Sequence, residues 1–318
     1  MKINTLGIVL SYYRKKENLA LDKICSGLCS AATLERIEKG ERIADSLLGG
    51  LLLERIGKEV SQFELVLDEE DYALWRMREK IREAMHIKNY KLAAILLRDY
   101  RVAVKNNSSI HEQFCLYHET MIEIANDKEN YKKICQIAAQ ALQITKKKIG
   151  KEDKEVNSLY TQTEIRLILL LIQHGYMGLE REAEHELLKL FHYVEYYYTE
   201  RRKEEVGTAI IMELIALEQK RHNDTRLITY IDKGITLLSQ GRGIRGLEDL
   251  HFLKAQTLVR QYGSAPSLLE RKREIQKECL MAYCICEVMG FTEKMKEIET
   301  FCEEKMAWQI TGLAILSD

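Results

Sequence analysis

The chain has 318 residues, a formal net charge of −1 and 31% charged side chains, but it contains only one proline, Pro266. An average protein of this length carries about 15 prolines. Because proline interrupts helices and marks turns and strand edges, its near absence predicts a chain built almost entirely of helices. The scarcity of proline, with only 17 glycines, excludes all-β and collagen-like classes. With 46% apolar residues the chain can bury a substantial core, which argues against a wholly disordered chain.

Charge and cysteine content narrow the class of protein further. Lys and Arg nearly balance Asp and Glu, so we do not expect a protein that coats nucleic acid in general, although a local basic patch is still allowed. The eight cysteines form no CxxC pair, and no signal peptide precedes the first amphipathic helix, so we expect free thiols in a cytoplasmic protein. The longest apolar run, Leu167–Ile172, is too short to cross a bilayer.

The first 65 residues or so read as four or five short helices separated by small polar or Gly breaks. The first helix is expected to begin at Asn4 or Thr5 and the second to cover Leu21–Leu28. The third should begin after Ser30 as N-cap and end at Gly40 in the left-handed conformation. Two short helices with a tight corner between them are typical of a helix-turn-helix. Small residues at the start of the second of these two helices let the backbone approach the floor of the DNA major groove.

The run Ser30–Gly40 reads S-x-x-T-L-x-x-I-E-x-G, with Leu34 and Ile37 on its inner face. This pattern resembles the helix-turn-helix of the phage-repressor (XRE) type, and Ile43–Ile56 resembles the fourth and fifth helices of that family. The resemblance implies a DNA-binding domain over residues 1–66.

The same resemblance implies which side chains contact DNA. In this family the first residues of the third helix read bases, which here are Ala31, Ala32 and, one turn on, Arg36. Alanine methyl groups can contact thymine methyl groups, and an arginine can bond guanine. The positions that are implied to contact phosphate or to position the helix are Ser30, Thr33, Lys39 and Arg42.

Local charge agrees with this implication. Residues 1–44 carry eight Lys and Arg against five Asp and Glu, an excess of three in a chain whose total charge is −1. Such an excess suits a modest phosphate footprint, which a dimer would double. The alternative is an ordinary solvated surface.

From about residue 68 the helical segments become longer, and apolar side chains recur every three or four positions. We place the domain boundary near residues 65–70, because Asp68–Asp71 favours a new helix N-terminus. A second helix is expected to begin at Tyr90, and another at Tyr131, 41 residues later. Further helix starts are expected near Leu179, Asp224 and Ser267. We therefore expect about five helix pairs over residues 67–318, stacked around a concave groove.

Repeated helix pairs of this kind resemble irregular tetratricopeptide arrays, whose unit is 34 residues. An XRE-like domain followed by such an array resembles the RRNPP family of peptide-responsive regulators. The resemblance implies an all-α fold, with an N-terminal helix-turn-helix bundle followed by a right-handed superhelix of tetratricopeptide-like pairs. It also implies a quorum-sensing transcription regulator that is a homodimer. Its array would bind a short signalling peptide, and peptide binding would change the distance between the two helix-turn-helix domains of the dimer on double-stranded DNA.

The first helix of each pair should line the groove. Aligning the turns before Tyr90 and Tyr131 places five side chains there, and we predict that they bind the peptide: Arg78, Arg82, Glu119, Glu123 and Asn126. The two arginines suit a peptide carboxylate, the glutamates suit an amine or basic side chain, and the amide of Asn126 suits peptide backbone. For each single residue, a solvated charged helix face is the alternative.

Four positions depart from the XRE pattern and keep a second hypothesis open. Leu21 stands where the family usually has a phosphate-anchoring Gln, with Asp22 beside it, Cys29 replaces the usual turn Gly, and Ala44 or its neighbour replaces a common Pro. The alternative function is therefore a tetratricopeptide-like interaction module, in which the helix-turn-helix serves docking or dimerisation rather than DNA binding.

The remaining segments are interpreted as packing. We expect the aromatic run Tyr193–Tyr198 to pack between repeats, with a ligand or dimer surface as the alternative. The last segment, Phe291–Asp318, is expected to cap the final repeat, with a second subunit as the alternative partner.

No pattern in the chain indicates catalysis. Neither His111 with His118 nor His185 with His192 has the spacing of a HExxH zinc site, and no phosphate-binding glycine loop or nucleophile elbow is present. We expect no enzyme activity, no metal and no cofactor.

Overall fold

The computed structural model of the chain describes residues 5–59, 67–104, 109–126, 130–146, 159–175, 180–199, 203–240, 244–262 and 266–310. These residues form helices and no strand, so the predicted all-α class is confirmed for the described part of the chain. They belong to two compact units, Met1–Thr199 and Glu200–Asp318. None of the helices in the described ranges is both long and apolar enough to span a bilayer.

The helices of the first unit are α1 (Thr5–Lys16), α2 (Leu21–Cys25), α3 (Ala31–Glu38), α4 (Ser46–Arg55), α5 (Glu69–His86), α6 (Tyr90–Ala103), α7 (Ser109–Asn126), α8 (Tyr131–Thr145), α9 (Gln162–Gln173) and α10 (Glu180–Tyr197). We call α1–α4 the head. The helices α5–α10 form three consecutive pairs, which we call the array of this unit.

The head is a small bundle with its own apolar core. Leu10 of α1, Ile24 of α2, Leu34 and Ile37 of α3 and Leu52 of α4 are all completely buried. Burying a side chain of this size stabilises the fold by about 1.5–3 kcal/mol. In each short segment the apolar residues recur on one face and charged residues lie on the other, and burial of the apolar face stabilises the helix.

Two predicted helix bounds in the head are wrong, and local hydrogen bonds give the reason. Helix α2 ends at Cys25 rather than Leu28, because the carbonyl of Cys25 accepts from the N–H groups of Leu28 and Cys29 in a turn around Gly27. Helix α4 begins only at Ser46, because the Asp45 side chain caps it by accepting from the N–H of Leu48 at 2.9 Å. Residues 46–55 form one helix, and residues 60–66 lie outside the described part of the chain.

The predicted starts of the array helices are confirmed. Asn89 and Asn130 cap α6 and α8, their side chains accepting from the backbone N–H groups of Leu92 and Lys133. Asp68 caps α5 in the same way, as the acidic run indicated. Side-chain oxygens at an N-cap satisfy donors that the helix itself leaves unpaired, which is why these positions mark the helix ends so clearly.

Head and array approach each other at backbone distance within the first unit. A Cβ added to Gly27 would lie 2.1 Å from the carbonyl oxygen of Thr145, and one added to Gly57 would lie 1.8 Å from that of Tyr197. Glycine is required at both positions, which also have positive φ. The predicted domain boundary at residue 66 is neither tested nor excluded by this packing, and it stays a prediction.

The second unit begins with a π-helical turn at Lys203–Gly207, followed by α11 (Thr208–Arg221), α12 (Asp224–Gln240), α13 (Leu247–Tyr262), α14 (Pro266–Met289) and α15 (Thr292–Met306). Pro266 is the first residue of α14, a position where its missing N–H costs nothing. Cys302, Met306 and Ile310 join the buried core of α13 and α14, so the segment after Phe291 packs on the last pair as predicted; residues 311–318 lie outside the described part.

Candidate nucleic-acid interface and ligand cavity

Helix α3 is fixed to the head from its inner face. The Ser30 side chain accepts from the backbone N–H of Thr33 at 3.1 Å, and Gly40, with φ of +75°, ends the helix. Between these two ends, Leu34 and Ile37 are completely buried. The predicted cap, inner face and stop of this helix are all confirmed.

An ion pair that the sequence did not reveal sets the orientation of α3. Arg14 of α1 donates from Nε and Nη2 to the two carboxylate oxygens of Glu38, at 2.7 and 2.8 Å. The bond to Glu38 raises the pKa of the Arg14 guanidinium. A two-point arginine–carboxylate pair constrains direction as well as distance, so α3 cannot rotate about its axis while this pair holds. Glu38 belongs to the S-x-x-T-L-x-x-I-E-x-G run, but nothing in its spacing from Arg14 identified the partner.

The outer face of α3 carries the side chains that were predicted to read bases. Ala32 and Arg36 are exposed, and Ala31 and Thr33 are partly exposed. Within the described residues, the Arg36 side chain makes no hydrogen bond or ion pair. Lys39 is exposed and pairs with Glu35 at 2.7 Å. The hydrogen bond from Lys39 lowers the pKa of Glu35, and the bond from Glu35 raises that of Lys39. In a solvated pair of this kind, Lys39 can easily exchange Glu35 for another anion.

The start of α3 borders a cleft of about 410 Å³ that is rich in carboxylates. From the head, Ser30, Thr33 and Arg42 line this cleft. The carboxylates that line it, which define what we call the acidic cleft, are Asp45, Asp68, Glu70 and Asp71. Three of the residues predicted to contact phosphate thus lie beside groups of the same charge as phosphate.

A buried polar network lies behind the acidic cleft. Asp71 accepts from the N–H and Oγ of Ser46, at 2.8 and 2.6 Å, which joins α5 to the start of α4. Arg78 donates to Ser46 Oγ at 2.5 Å and to the Tyr100 hydroxyl at 3.0 Å. The Tyr100 hydroxyl also lies 2.5 Å from His111 Nδ1. Burial lowers the pKa of His111, so this ring is neutral in the network near pH 7.

A second cavity, of about 260 Å³, lies between α4 of the head and α5, α7 and α9 of the array. Its array side includes Trp75, Arg78, Arg82 and Phe114, and we call it the amphipathic cavity. The head side of the same cavity is lined by Ser46, Leu47, Gly50, Leu51 and Glu54. Arg78 and Arg82 both line this cavity, but Arg78 is only 1% exposed and is already bonded within the network, and peptide binding by either residue stays a prediction.

Arg82 is the exposed cation that lines the amphipathic cavity. Its guanidinium pairs with Glu79, one turn earlier on α5, and lies 5.7 Å from the ring centroid of Phe114. Both members of the pair are about half exposed, so the pair contributes little stability and can be replaced by an incoming carboxylate. Gln113 closes the cavity floor, its side-chain amide donating to Ala141 O at 3.0 Å and to Thr145 Oγ1 at 2.7 Å.

The three other predicted peptide-binding residues do not line this cavity. Glu119 pairs with Arg101 of α6, and Glu123 pairs with Lys133 of α8 at 2.8 Å. Asn126 is exposed at the end of α7. Residues six apart on a helix, such as Gln113 and Glu119, point about 120° away from each other, so the two cannot face one cavity. Any contact of these three with a ligand stays a prediction.

Head and array are also joined by a buried polar seam. Arg55 at the end of α4 donates to Glu164 of α9 at 2.6 Å, and the backbone N–H of Gln162 donates to Glu54 at 3.0 Å. The Tyr193 hydroxyl of α10 lies 2.8 Å from Tyr160 O and 3.0 Å from Glu54 O. The aromatic run was predicted to pack between repeats; the Tyr193 ring instead lies edge-to-face against Tyr160, which precedes α9 of the same pair, and its hydroxyl meets the head.

The charge states in this seam follow from burial, two nearby positive charges and hydrogen bonds. Burial by itself raises the pKa of the Glu164 carboxyl, but the charges of Arg55 and Lys146 and the hydrogen bonds to the carboxylate outweigh it, so its pKa lies below the usual value. Burial also raises the pKa of Tyr193 well above normal. Arg55 and Glu164 are thus both charged inside the protein.

The departures from the XRE pattern lie around the same surface. Asp22 is exposed on α2 and Leu21 is partly exposed, whereas Ala44 is buried. Cys29 lines the acidic cleft, and burial raises the pKa of its thiol to about 11. The structure accommodates all four residues without breaking the helix-turn-helix.

The histidines and cysteines in the described part of the chain provide no metal site. No group of three His, Cys, Asp or Glu residues in these ranges could hold a metal ion, and the eight cysteines are free thiols. Burial lowers the pKa of His118 to about 4, and its Nδ1 lies 2.8 Å from Phe114 O. His185 and His192 are exposed.

Comparison with solved structures finds chains that align over nearly their whole length with nearly the whole of this one. Bacillus thuringiensis PlcR, solved with the peptide PapR7 and DNA, is 12% identical over 93% of this chain and 99% of its own, with a TM-score of 0.47. The apo competence regulator ComR of Streptococcus vestibularis is 14% identical over 95% of this chain and 98% of its own, also with a TM-score of 0.47. Apo ComR of S. thermophilus is 15% identical over 93% and 97%, with a TM-score of 0.44.

No protein-family model matches the chain, and no curated protein matches it in sequence. At identities of 12–15% and TM-scores below 0.5, we argue function from this chain's own residues.

Proposed function

We propose that this protein is a DNA-binding transcription regulator, and that a short peptide in its helical array controls the head. The observation that supports DNA binding best is the two-sided character of α3. Its inner face is fixed by Leu34, Ile37 and the Glu38–Arg14 pair, while its outer face offers Ala32 and an unpaired arginine. A helix presented in this way fits a major groove about 12 Å wide.

The outer face of α3 assigns different roles to its cations. Arg36 can bond O6 and N7 of a guanine through two N–H groups, because its side chain is committed to no other described residue. Lys39 can exchange Glu35 for a phosphate oxygen, as can any exposed lysine, without reading sequence. The hydroxyls of Ser30 and Thr33 and the charge of Arg42 suit phosphates at the start of the helix.

The acidic cleft supplies a means of regulation. A DNA backbone brought to Ser30, Thr33 and Arg42 would lie beside the four carboxylates of the cleft, and like charges at such distances repel. DNA binding through these residues therefore requires the cleft to widen. A ligand that moves α4 relative to α5 would favour or oppose that widening, and the amphipathic cavity lies between these two helices.

The amphipathic cavity suits the carboxyl end of a peptide that carries an apolar or aromatic side chain. Trp75, Phe114 and Leu51 provide apolar surface. Arg82 provides a positive charge whose ion-pair partner, Glu79, is itself half exposed. Aromatic surface with one exchangeable guanidinium is an effective combination for binding a carboxylate beside an apolar group. Because α4 lines the same cavity, an occupant contacts head and array together.

We test DNA binding first, with no assumption about the operator. Purified protein is used to select from randomised duplex DNA at low salt, and binding of the selected sequence is compared with that of its scrambled form. We expect enrichment of a paired half-site, because an XRE-like head reads one half-site and a proposed homodimer reads two. Absence of any enriched sequence at low salt would contradict the proposal. The head would then be a docking module, which the exposed Asp22 at the start of α2 favours.

Peptide binding is tested with a library of short synthetic peptides, each made with a free carboxylate and as the amide. Bound peptides are recovered by size exclusion and identified by mass spectrometry. We expect free-carboxylate peptides with an apolar final residue to be retained and their amides to be lost. Arg82→Gln should abolish retention. Arg76→Gln changes an exposed arginine of α5 outside the cavity and should leave retention unchanged. Equal retention of acids and amides would contradict the assigned cavity.

A further inference from the structure

We propose that two copies of the chain associate through the exposed face of α6, packed in parallel about a two-fold axis. We define the α6 face by its exposed residues, Lys91, Leu92, Ile95, Arg98, Asp99 and Val102. This proposal rests on the proposed function only in that it supplies the contact for the homodimer; self-association itself requires no DNA.

The α6 face is apolar along its centre. Leu92 is 40% exposed, Ile95 is 46% exposed and Val102 is 85% exposed, although the opposite face of the same helix has buried Ala93, Leu97 and Tyr100. Residues 92, 95 and 102 recur at helical spacing and form one stripe. Single exposed apolar residues are ordinary, but a stripe along a solvent-facing helix is typical of an interaction surface.

The charges at the sides of the stripe fit a second copy of the same helix. Viewed down the helix axis, Arg98 lies about 60° to one side of Ile95 and Asp99 about 40° to the other. Within the described residues neither side chain makes a hydrogen bond or ion pair, and both are exposed. A two-fold axis parallel to the helix exchanges the two sides. Arg98 of each copy then meets Asp99 of the other, which gives two ion pairs around an Ile95–Ile95 contact.

The same residues argue against antiparallel packing. With a two-fold axis perpendicular to the helix, the Arg98 side of one helix faces the Arg98 side of the other, and the two helices run in opposite directions. Lys91, about 40° to the same side as Arg98, would then face Arg98 of the other copy. Two such like-charge contacts in one small interface would be repulsive. In the parallel arrangement the aliphatic stem of Lys91 lies over Leu92 of the other copy instead.

The size of the surface predicts a weak association. One pair of helices with three apolar side chains each buries less than the roughly 800 Å² per partner of a stable interface. We therefore expect a concentration-dependent dimer in free solution. Two half-sites on one duplex would raise the effective concentration of the second copy and strengthen the same contact.

The experiment is a charge swap on the full chain, measured by sedimentation equilibrium without DNA. Arg98→Asp and Asp99→Arg should each weaken dimerisation by about tenfold or more, because each leaves like charges across the axis. The double variant with both changes recreates the pairs in reverse order and should restore the dimerisation constant to within about threefold. Circular dichroism confirms that these exposed substitutions leave the fold unchanged.

Cross-linking tests the geometry independently. Ile95→Cys places a thiol on the proposed axis, so a short bismaleimide should join two copies at this position. Ile8→Cys, at a more exposed position on α1, is the matched control and should not cross-link. The unmodified chain corrects for its own free thiols.

The outcomes are distinguishable from those of the DNA experiment. Failure of the double variant to restore dimerisation, or equal cross-linking at residues 8 and 95, overturns the α6 surface. If the chain then still selects paired half-sites from DNA, the proposed function holds and its dimer contact lies elsewhere. If the charge swap restores dimerisation but no DNA is selected, the α6 surface holds and the proposed function fails.

Discussion

Arg55 at the end of α4 donates to Glu164 of α9 at 2.6 Å, across 109 residues of chain, and both side chains are buried. Because Arg55 Nε has no hydrogen-bond partner among the described residues, the pair is not fully satisfied. The two charges lie at the contact between head and array. If the head moves relative to the array, these charges must either stay paired or become hydrated.

Removing one partner of this pair should be far more harmful than removing both. Glu164→Gln leaves Arg55 as a buried unpaired charge, and we expect a loss of about 3–5 kcal/mol of unfolding free energy. The double variant Arg55→Met with Glu164→Leu should lie within about 1–2 kcal/mol of the parent. Urea unfolding measures both. Trp75 reports the first unit once Trp308→Phe has removed the other tryptophan. A double variant as unstable as Glu164→Gln would contradict this account.

Acid should weaken the same pair in a defined window. The pKa of Glu164 is lower in the folded protein than in the unfolded chain, so the pair's contribution is fully present above the unfolded value of about 4.3. It is lost as pH falls below that value and through the lower folded pKa, because Glu164 then gains a proton while Arg55 stays charged. Urea unfolding between pH 3 and 7 should show a shallower fall in stability for the apolar double variant than for the parent. Parallel curves would refute the assignment.

Gly57 offers a test of the close contact between head and array. Its backbone has φ of +69°, and an added Cβ would lie 1.8 Å from Tyr197 O. Gly175 has nearly the same φ, +68°, but an added Cβ there meets nothing within 4 Å. Gly175→Ala should therefore cost only the backbone strain of about 1–2 kcal/mol. Gly57→Ala should cost more, since the backbone of α10 or of the head must move. Equal losses in urea unfolding would show that the contact is unimportant.

The cations of α3 should affect DNA in two distinguishable ways. Arg36→Ala should lower affinity for the selected sequence by about 1–3 kcal/mol and relax preference at one base pair, with little effect on scrambled DNA. Lys39→Ala should weaken both DNAs alike and reduce the slope of log affinity against log salt by about one. Fluorescence anisotropy over a salt series measures both. Arg273→Ala, at an exposed position of α14, is the control. Identical salt slopes and specificity for the two α3 variants would contradict these roles.

Neutralising the acidic cleft should strengthen DNA binding. Asp68→Asn with Glu70→Gln removes two carboxylates that line the cleft, and asparagine preserves the N-cap of α5. We expect affinity for selected DNA to rise severalfold at low salt and less at high salt, where charges are screened. Glu69→Gln changes an exposed carboxylate of the same turn outside the cleft and should have a smaller effect. If all three charges act alike, only net charge matters and the cleft does not compete with DNA.

The sequence predicted local features well because their causes are local. The predicted helix starts near Asp68 and at Tyr90 and Tyr131 each follow a cap, at Asp68, Asn89 and Asn130, that bonds to an N–H group three residues away. Ser30 and Gly40 were found for the same reason. The predicted bounds were wrong at the end of α2, where a turn at Gly27 ends the helix early, and at the start of α4, where Asp45 caps the helix.

Which residues share a site could be predicted only in part. Arg78 and Arg82 lie one turn apart on α5, and so they reach the same cavity as expected. Glu119 and Glu123 lie on α7, whose rotation about its axis is set by packing against α6 and α8, and there the pairing with Arg101 and Lys133 turns them away.

The sequence by itself determined an all-helical chain, a short helix-turn-helix-like N-terminal segment with a small excess of basic residues, and a series of helix pairs. The scarcity of proline, the apolar periodicity and the capping residues all report interactions between residues a few positions apart. A single sequence predicts structure reliably only over that distance. Only the tertiary structure decided that Arg55 meets Glu164, that carboxylates border the start of α3, and that α4 lines a cavity with α5. Contacts between residues more than 100 positions apart depend on how helices pack, and many sequences with the same local pattern would pack differently.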